Sequence, residues 1–155
     1  MREVLIERRT EPMGRFSVEI EVANYKDVCR AEEGTLSLDK VRRVRIKGLV
    51  DTGATNLILP ASVATLLGLR EKEQVIVRYA DNRRALRTEV RDAEVTLLGR
   101  SDVFSAIVEP DRSEALIGAI VLEVLDLLVD SKEQRLVPRD PRGITAAIGC
   151  VAIEA

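Results

Sequence analysis

Histidine is absent from the 155-residue chain. That gap excludes a Ser-His-Asp or Cys-His nucleophile system, a histidine general base and His-ligated zinc. Cysteine is almost absent too: Cys29 and Cys150 are the only two. Two thiols make neither a structural zinc site nor a disulfide framework, so a reduced, cytoplasmic setting is expected. Aromatic residues amount to 3%, with no Trp, too few for a base-stacking surface. Charge of one sign is also lacking, with 24 Lys+Arg against 26 Asp+Glu. Without a basic stripe, neither nucleic acid nor an acidic membrane is an expected partner. The longest apolar run, Ala115 to Leu122 with Gly118 inside it, meets Glu123 and Asp126 and is far too short to span a bilayer. Met1 to Thr10 alternates charged and apolar residues and has no signal-peptide core. Any hydrolytic chemistry falls to carboxylates, Ser/Thr, Lys or Tyr, and neither a metal nor a cofactor is expected.

What is present suits a single folded domain. Hydrophobic residues make up 46% and charged residues 32%, and a chain of this length buries roughly 70% of its unfolded surface. Phe16 to Val22 alternates with period two, as a half-buried strand does. Val44 to Val50 forms a second strand region, ending at Asp51-Thr52-Gly53. The charged stretch Arg30 to Lys40, with Gly34 inside it, reads as a surface loop or a long hairpin tip. Leu57 to Leu59 is a short buried strand. Pro60 then suits the start of a helix that runs to Gly68. Gln74 to Tyr79 and Ala85 to Val90 pair around a turn at Ala80-Asp81-Asn82-Arg83. Val95 to Leu98 and Val103 to Val108 pair around Gly99-Arg100-Ser101-Asp102. Ala115 to Ile117 is a strand, Ile120 to Leu125 a helix, and Leu127 to Val129 and Arg135 to Val137 two more strands; the run Leu122 to Leu128 reads as core. The pattern predicts a mostly β domain closed into a barrel, with one or two short helices.

One tetrapeptide carries chemistry: Asp51-Thr52-Gly53-Ala54, between Gly48-Leu49-Val50 and Thr55-Asn56-Leu57-Ile58-Leu59-Pro60. A carboxylate ends an apolar strand, a glycine turns the chain, and a second buried strand follows. This resembles the retropepsin-like aspartic proteases (clan AA), in their bacterial-type form. Two further segments carry the resemblance. Tyr79-Ala80-Asp81-Asn82-Arg83-Arg84 stands where the family has its flap hairpin, and Ala115-Leu116-Ile117-Gly118 before a helix is similar to its second signature. The resemblance implies a retropepsin-like barrel over residues 16–138, with residues 1–15 as an N-terminal extension. Residues 139–155 would be a tail, apolar from Ile144 to Ile153 and a candidate dimer-interface strand.

It also implies roles. Asp51, Thr52 and Gly53 would be the catalytic triplet. Ala54, Asn56, Tyr79, Ala80, Asp81, Asn82, Ile117 and Gly118 would line the substrate site. In such enzymes two neighbouring carboxylates share one proton, because both cannot ionise easily side by side. The ionised one takes a proton from water, and the protonated one hydrogen-bonds the scissile carbonyl. The chain has one Asp-Thr-Gly and no second Asp-Thr-Gly or Asp-Ser-Gly. The other carboxylate must then be Asp51 of an identical chain, which makes a two-fold homodimer cleaving peptide or protein substrates. The alternatives are a catalytically silent protease-fold module for peptide binding or dimerisation, and a monomeric scaffold in which Asp51 is incidental.

Ala54 bears on the pH range. A serine at this position could donate a hydrogen bond to the ionised carboxylate, and alanine cannot. Activity at mildly rather than strongly acidic pH is therefore expected. Ala54→Ser should move the acidic limb of the pH–rate profile downward; an unchanged limb contradicts this account.

Overall fold

The structure is a computed structural model that describes residues 1–6 and 15–140. Its elements follow the hydrophobic alternation closely. Strands β1 (Glu3–Leu5) and β2 (Phe16–Asn24) lead into helix α1 (Tyr25–Glu32). β3 (Arg43–Val50), β4 (Leu57–Pro60) and helix α2 (Ala61–Leu67) come next. The long hairpin strands β5 (Glu71–Arg78), β6 (Arg84–Leu97) and β7 (Arg100–Glu109) follow. The described part ends with β8 (Ala115–Ile117), helix α3 (Ala119–Val124), β9 (Leu127–Asp130) and β10 (Arg135–Pro138).

Eight strands form one sheet in the order β1-β5-β6-β2-β3-β8-β4-β7, and β7 pairs again with β6. That last pairing closes β6, β2, β3, β8, β4 and β7 into a ring, leaving β5 and β1 as a flange on β6. Closure removes open sheet edges from the ring. Its interior is filled by Ile20, Val22, Val50, Leu57, Leu59, Val95, Ile117 and their neighbours. A second apolar cluster lies beneath the flange, built from Val4, Ile6, Ala54, Ile58, Val75, Val77, Ile107 and Leu116. β9 and β10 form a separate hairpin.

Four local expectations need correction. The stretch read as a loop from Arg30 to Lys40 holds the end of α1 and a 3-10 turn at Leu38–Lys40, so the described residues hold three α-helices rather than one or two. The Asn24 side chain accepts from the Asp27 N–H at 3.1 Å, a polar N-cap that starts the helix. The second hairpin turns at Leu98-Gly99, not at Gly99 to Asp102. Both residues have positive φ, 52° and 75°, as a two-residue hairpin with the favoured twist requires. Leucine at the first turn position conceals that turn in the sequence. Ala85 to Val90 and Val95 to Leu98 are parts of one strand, β6, whose register shifts between Val90 and Ala93. Asp92, at φ 63°, forms the bulge that bends it. Finally, Val124 and Leu128 are exposed within a run read as wholly core. The apolar tail expectation from Ile144 to Ile153 lies outside the described residues, as does Cys150.

Buried polar groups tie the loops to the barrel. Arg42 donates to both carboxylate oxygens of buried Asp27, at 2.8 and 3.0 Å, and its backbone N–H adds a third bond at 3.1 Å. These bonds, the side-chain ones foremost, hold the Asp27 carboxyl below its ordinary value. A lowered carboxyl contributes stability that is present above the unfolded pKa and lost as pH falls through the folded one. Asp27→Asn is expected to cost about 1–3 kcal/mol at neutral pH. Urea melts should show that difference shrinking as the pH drops below about 4; a difference independent of pH contradicts the ion pair's role.

Candidate active site

Asp51 follows directly on β3 and continues its parallel ladder with β8, donating its N–H to the Ile117 carbonyl at 3.1 Å. The chain then turns tightly. The Ala54 N–H donates to the Asp51 carbonyl at 3.1 Å, and the Gly53 N–H donates to Asp51 Oδ1 at 2.9 Å. The carboxylate is thereby fixed by its own turn, an Asp side chain bonding backbone two residues on. Asp51 is only 1% exposed. Its Oδ2 is buried and has no aligned hydrogen bond; its partner is a charge, Arg15 Nη2 at 3.1 Å.

The turn is laced to the segment that follows β8. Gly118 donates to the Asn56 carbonyl at 3.1 Å, Ala119 to the Ala54 carbonyl at 2.8 Å, and Ile120 to the Thr55 carbonyl at 3.0 Å. The loop carbonyls thus satisfy the first N–H groups of α3, which have no partner within the helix. Such backbone contact leaves no room for a side chain at 118. A Cβ there would stand 2.4 Å from the Asn56 oxygen and 2.5 Å from the Thr55 carbonyl carbon. Asp51, Thr52, Gly53, Ala54, Asn56, Ile117 and Gly118 are therefore gathered in one unit. Thr52 is exposed on it, while Ala54 and Ile117 are buried.

The β5–β6 hairpin contributes the other predicted residues. Tyr79, Ala80, Asp81 and Asn82 form its tip, closed by Tyr79 N–H to the Arg83 carbonyl and Asn82 N–H to the Tyr79 carbonyl, both 2.9 Å. Asn82 takes φ 69°, a left-handed conformation that Asn tolerates better than most residues. Asp81 accepts from the Arg83 N–H at 3.0 Å and from its Nε at 2.9 Å. The Arg83 guanidinium lies 4.8 Å from the Tyr79 ring centre. The Tyr79 hydroxyl donates to Glu109 Oε2 at 2.6 Å, and Arg87 holds Oε1 at 2.7 Å. Burial, then the bond to Glu109, raises the Tyr79 phenol above its ordinary value. The tip, Ile6, Glu109 and Arg112 border a cavity of about 420 Å³. Tyr79 also packs against the apolar cluster that contains Ala54, which links the hairpin to the Asp51 loop.

Arg15, Glu109 and Arg87 are absent from the residues picked out in the sequence. Arg15 had a signal. β2 and β3 pair antiparallel with Phe16 opposite Val50, and one step further along that register sets Arg15 opposite Asp51. Glu109 and Arg87 had none, because only the folded hairpin brings them to Tyr79. Among the described residues no group of three or more Cys, Asp or Glu side chains converges as a metal site would need. No described helix is long and apolar enough to cross a membrane.

Residues 40–124, more than half of the chain, match the model of a family described as "gag-polyprotein putative aspartyl protease". The chain belongs to this family. The matched segment runs from before β3 to the end of α3 and includes the Asp51 loop, the β5–β6 hairpin and Gly118. No curated protein matches the chain in sequence. Among solved structures, simian foamy virus (mac) protease is similar at 14% identity and TM-score 0.46, covering 71% of this chain and 94% of that one. A retropepsin-like aspartic protease from Rickettsia conorii is similar at 21% and 0.47, covering 81% and 82%. The retroviral protease-like domain of Ddi1 from Leishmania major is similar at 18% and 0.47, covering 81% and 89%. The fold of this chain, ten strands and three short α-helices among the described residues, is mostly β.

The lacing of the loop generates a stability prediction. Gly118→Ala should cost about 2–4 kcal/mol, because backbone rather than a flexible side chain must move. Gly99 has positive φ but no neighbour within 4 Å of an added Cβ, so Gly99→Ala should cost only about 1 kcal/mol. Chemical denaturation of both variants checks the order; equal costs contradict it.

Proposed function

We propose that the protein is a homodimeric aspartic endopeptidase, with the two Asp51 carboxylates of the dimer as its acid–base pair. The observation that carries this reading is the placement of Asp51: its carboxylate stands at the end of β3, with Oδ1 bound by the Gly53 N–H, Oδ2 paired with the Arg15 guanidinium at 3.1 Å, and its loop laced by backbone bonds to the start of α3. Oδ2 is the oxygen that would share a proton with a second Asp51, with a water between them.

The chemistry needs nothing that histidine or a metal would supply. The ionised Asp51 removes a proton from the water as its oxygen attacks the scissile carbonyl carbon. The protonated Asp51 gives its hydrogen to the carbonyl oxygen. Collapse of the tetrahedral diol breaks the C–N bond: the proton taken from water passes to the leaving nitrogen, and one diol hydroxyl returns its proton to the second Asp51, which restores the singly protonated pair. Thr52, exposed on the Asp51 loop, and Ile120 and Val124, exposed on α3, favour a partner surface on this side. Asn56 and the hairpin tip at Tyr79 to Asn82 would hold the substrate backbone, above a floor of Ala54, Ile117 and Gly118. The resemblance of the three motifs to the retropepsin-like enzymes supports these roles.

A diverse peptide library incubated with wild type and with Asp51→Asn, with and without a statine-type inhibitor, tests the reading. Cleavage by wild type alone, blocked by the inhibitor, is the expected result. Equal cleavage by both proteins rejects the assignment. A stable dimer that binds peptides yet cuts none between about pH 4 and pH 8 points to the silent binding module.

A further inference from the structure

The flange beside the candidate site holds a strand that the barrel itself does not need. β5 is the outer strand of the flap-like hairpin, and its free edge is taken by β1 in parallel register, with Glu3 opposite Ile76, Val4 opposite Val77 and Leu5 opposite Arg78. The Ile76 N–H donates to the Arg2 carbonyl and the Ile6 N–H to the Arg78 carbonyl, both at 3.0 Å. Side chains on one face of this strand point into the second apolar cluster. Val4 and Ile6 are 7% and 2% exposed. They meet Val75 and Val77 from the hairpin's underside, Ala54 from the Asp51 loop, and Ile58 and Leu116 from the strands flanking it. The other attachments are ionic: Arg2 pairs with buried Glu89, and Glu3 lies 3.4 Å from Arg78 and 3.3 Å from Arg84.

This is how a peptide adds to a sheet edge: main-chain bonds give the affinity, and pockets for alternate side chains give the selectivity. The space that Val4 and Ile6 fill lies between the hairpin and the Asp51 loop. Under the proposed function, on which this inference rests, an extended substrate must lie there. We infer that the chain's own strand Glu3–Leu5, with Arg2 and Ile6, occupies the substrate groove in cis and competes with substrate for it. The inference also names a substrate class. The groove takes an extended peptide with branched aliphatic side chains two residues apart and a cation two residues before the first, as Arg2, Val4 and Ile6 are spaced. Glu89 receives the cation, while Val75, Val77, Ala54 and Leu116 receive the aliphatic pair.

The test uses the full chain. Val4→Asp/Ile6→Asp unseats the strand, and Val4→Ala/Ile6→Ala does so more gently. Both are made also with Asp51→Asn, so that binding is read without cleavage. The probe is a fluorescent peptide of sequence Met-Arg-Glu-Val-Leu-Ile, followed by anisotropy. A site closed by its own segment binds an added ligand more weakly by the fraction of time it is open. The unseated variants should therefore bind the probe at least about tenfold more tightly than the Asp51→Asn single variant. A probe with Asp at both aliphatic positions should not bind. Equal binding by all forms, or no binding by folded variants, overturns the inference. Loss of the native circular dichroism in both the Asp and the Ala pair does so as well, since β1 would then be an integral core strand. Probe binding without Asp51-dependent cleavage by any form leaves a peptide groove occupied by β1 but removes the protease reading, and with it the groove's role in substrate cleavage. Cleavage unaffected by the probe does the reverse.

Discussion

Everything in the candidate site depends on the close backbone contact between the Asp51 loop and the start of α3. Three N–H groups, from Gly118, Ala119 and Ile120, reach three successive carbonyls, of Asn56, Ala54 and Thr55. With the Asp51 N–H on the Ile117 carbonyl, they hold the loop against β8 without a single side-chain bond. Under the proposed function, a carboxylate that meets its twin across a dimer axis needs this kind of support, because rotation of its backbone would move it off the axis. The rigid parts here are main chain, and the one residue that permits the contact is a glycine.

Two apolar cores divide the labour around that loop. The ring interior, with Val50, Leu57 and Ile117, anchors the strands from which the loop springs. The second cluster, reached by Ala54 on one side and Val75 and Val77 on the other, joins the loop to the hairpin. The first is enclosed by strands that pair on both edges. The second is closed by β1, a three-residue strand on an outer edge. A three-residue edge strand is held by a few ladder bonds, the two buried side chains Val4 and Ile6 and a small set of ion pairs, and an element with so few attachments opens at lower cost than the ring strands. The architecture therefore puts a short edge strand over the apolar cluster that contains Ala54 of the Asp51 loop.

Much of this could be read from residues in order. The alternation in Phe16 to Val22, the Asp51-Thr52-Gly53 turn and the strand-Gly-helix at Ala115 to Leu125 each show the same period locally that the fold uses globally. What escaped was set by contacts distant in sequence or by atypical turn chemistry. α1 fully buries only a charged residue, Asp27, while its apolar residues Tyr25, Val28 and Cys29 are half-buried; the Asn24 cap was its clearest local sign. The Leu98-Gly99 turn places leucine at positive φ, which no propensity anticipates. Arg15 reaches Asp51 only because β2 and β3 pair in one particular register. Val4 and Ile6 alternate with charges in a way that fits many exposed edges, and their burial follows from the hairpin that comes some seventy residues later.

The central claim is that one active unit needs Asp51 from two chains, and mixed dimers test it most directly. Wild type and Asp51→Asn protein, mixed in equal amounts and allowed to exchange subunits, should assort at random. If both carboxylates are required, activity per wild-type chain halves, and the mixture shows about one quarter of the rate of the same total amount of wild type. A rate of about one half, unchanged per wild-type chain after exchange is complete, would mean that each Asp51 works alone, and the account would be wrong.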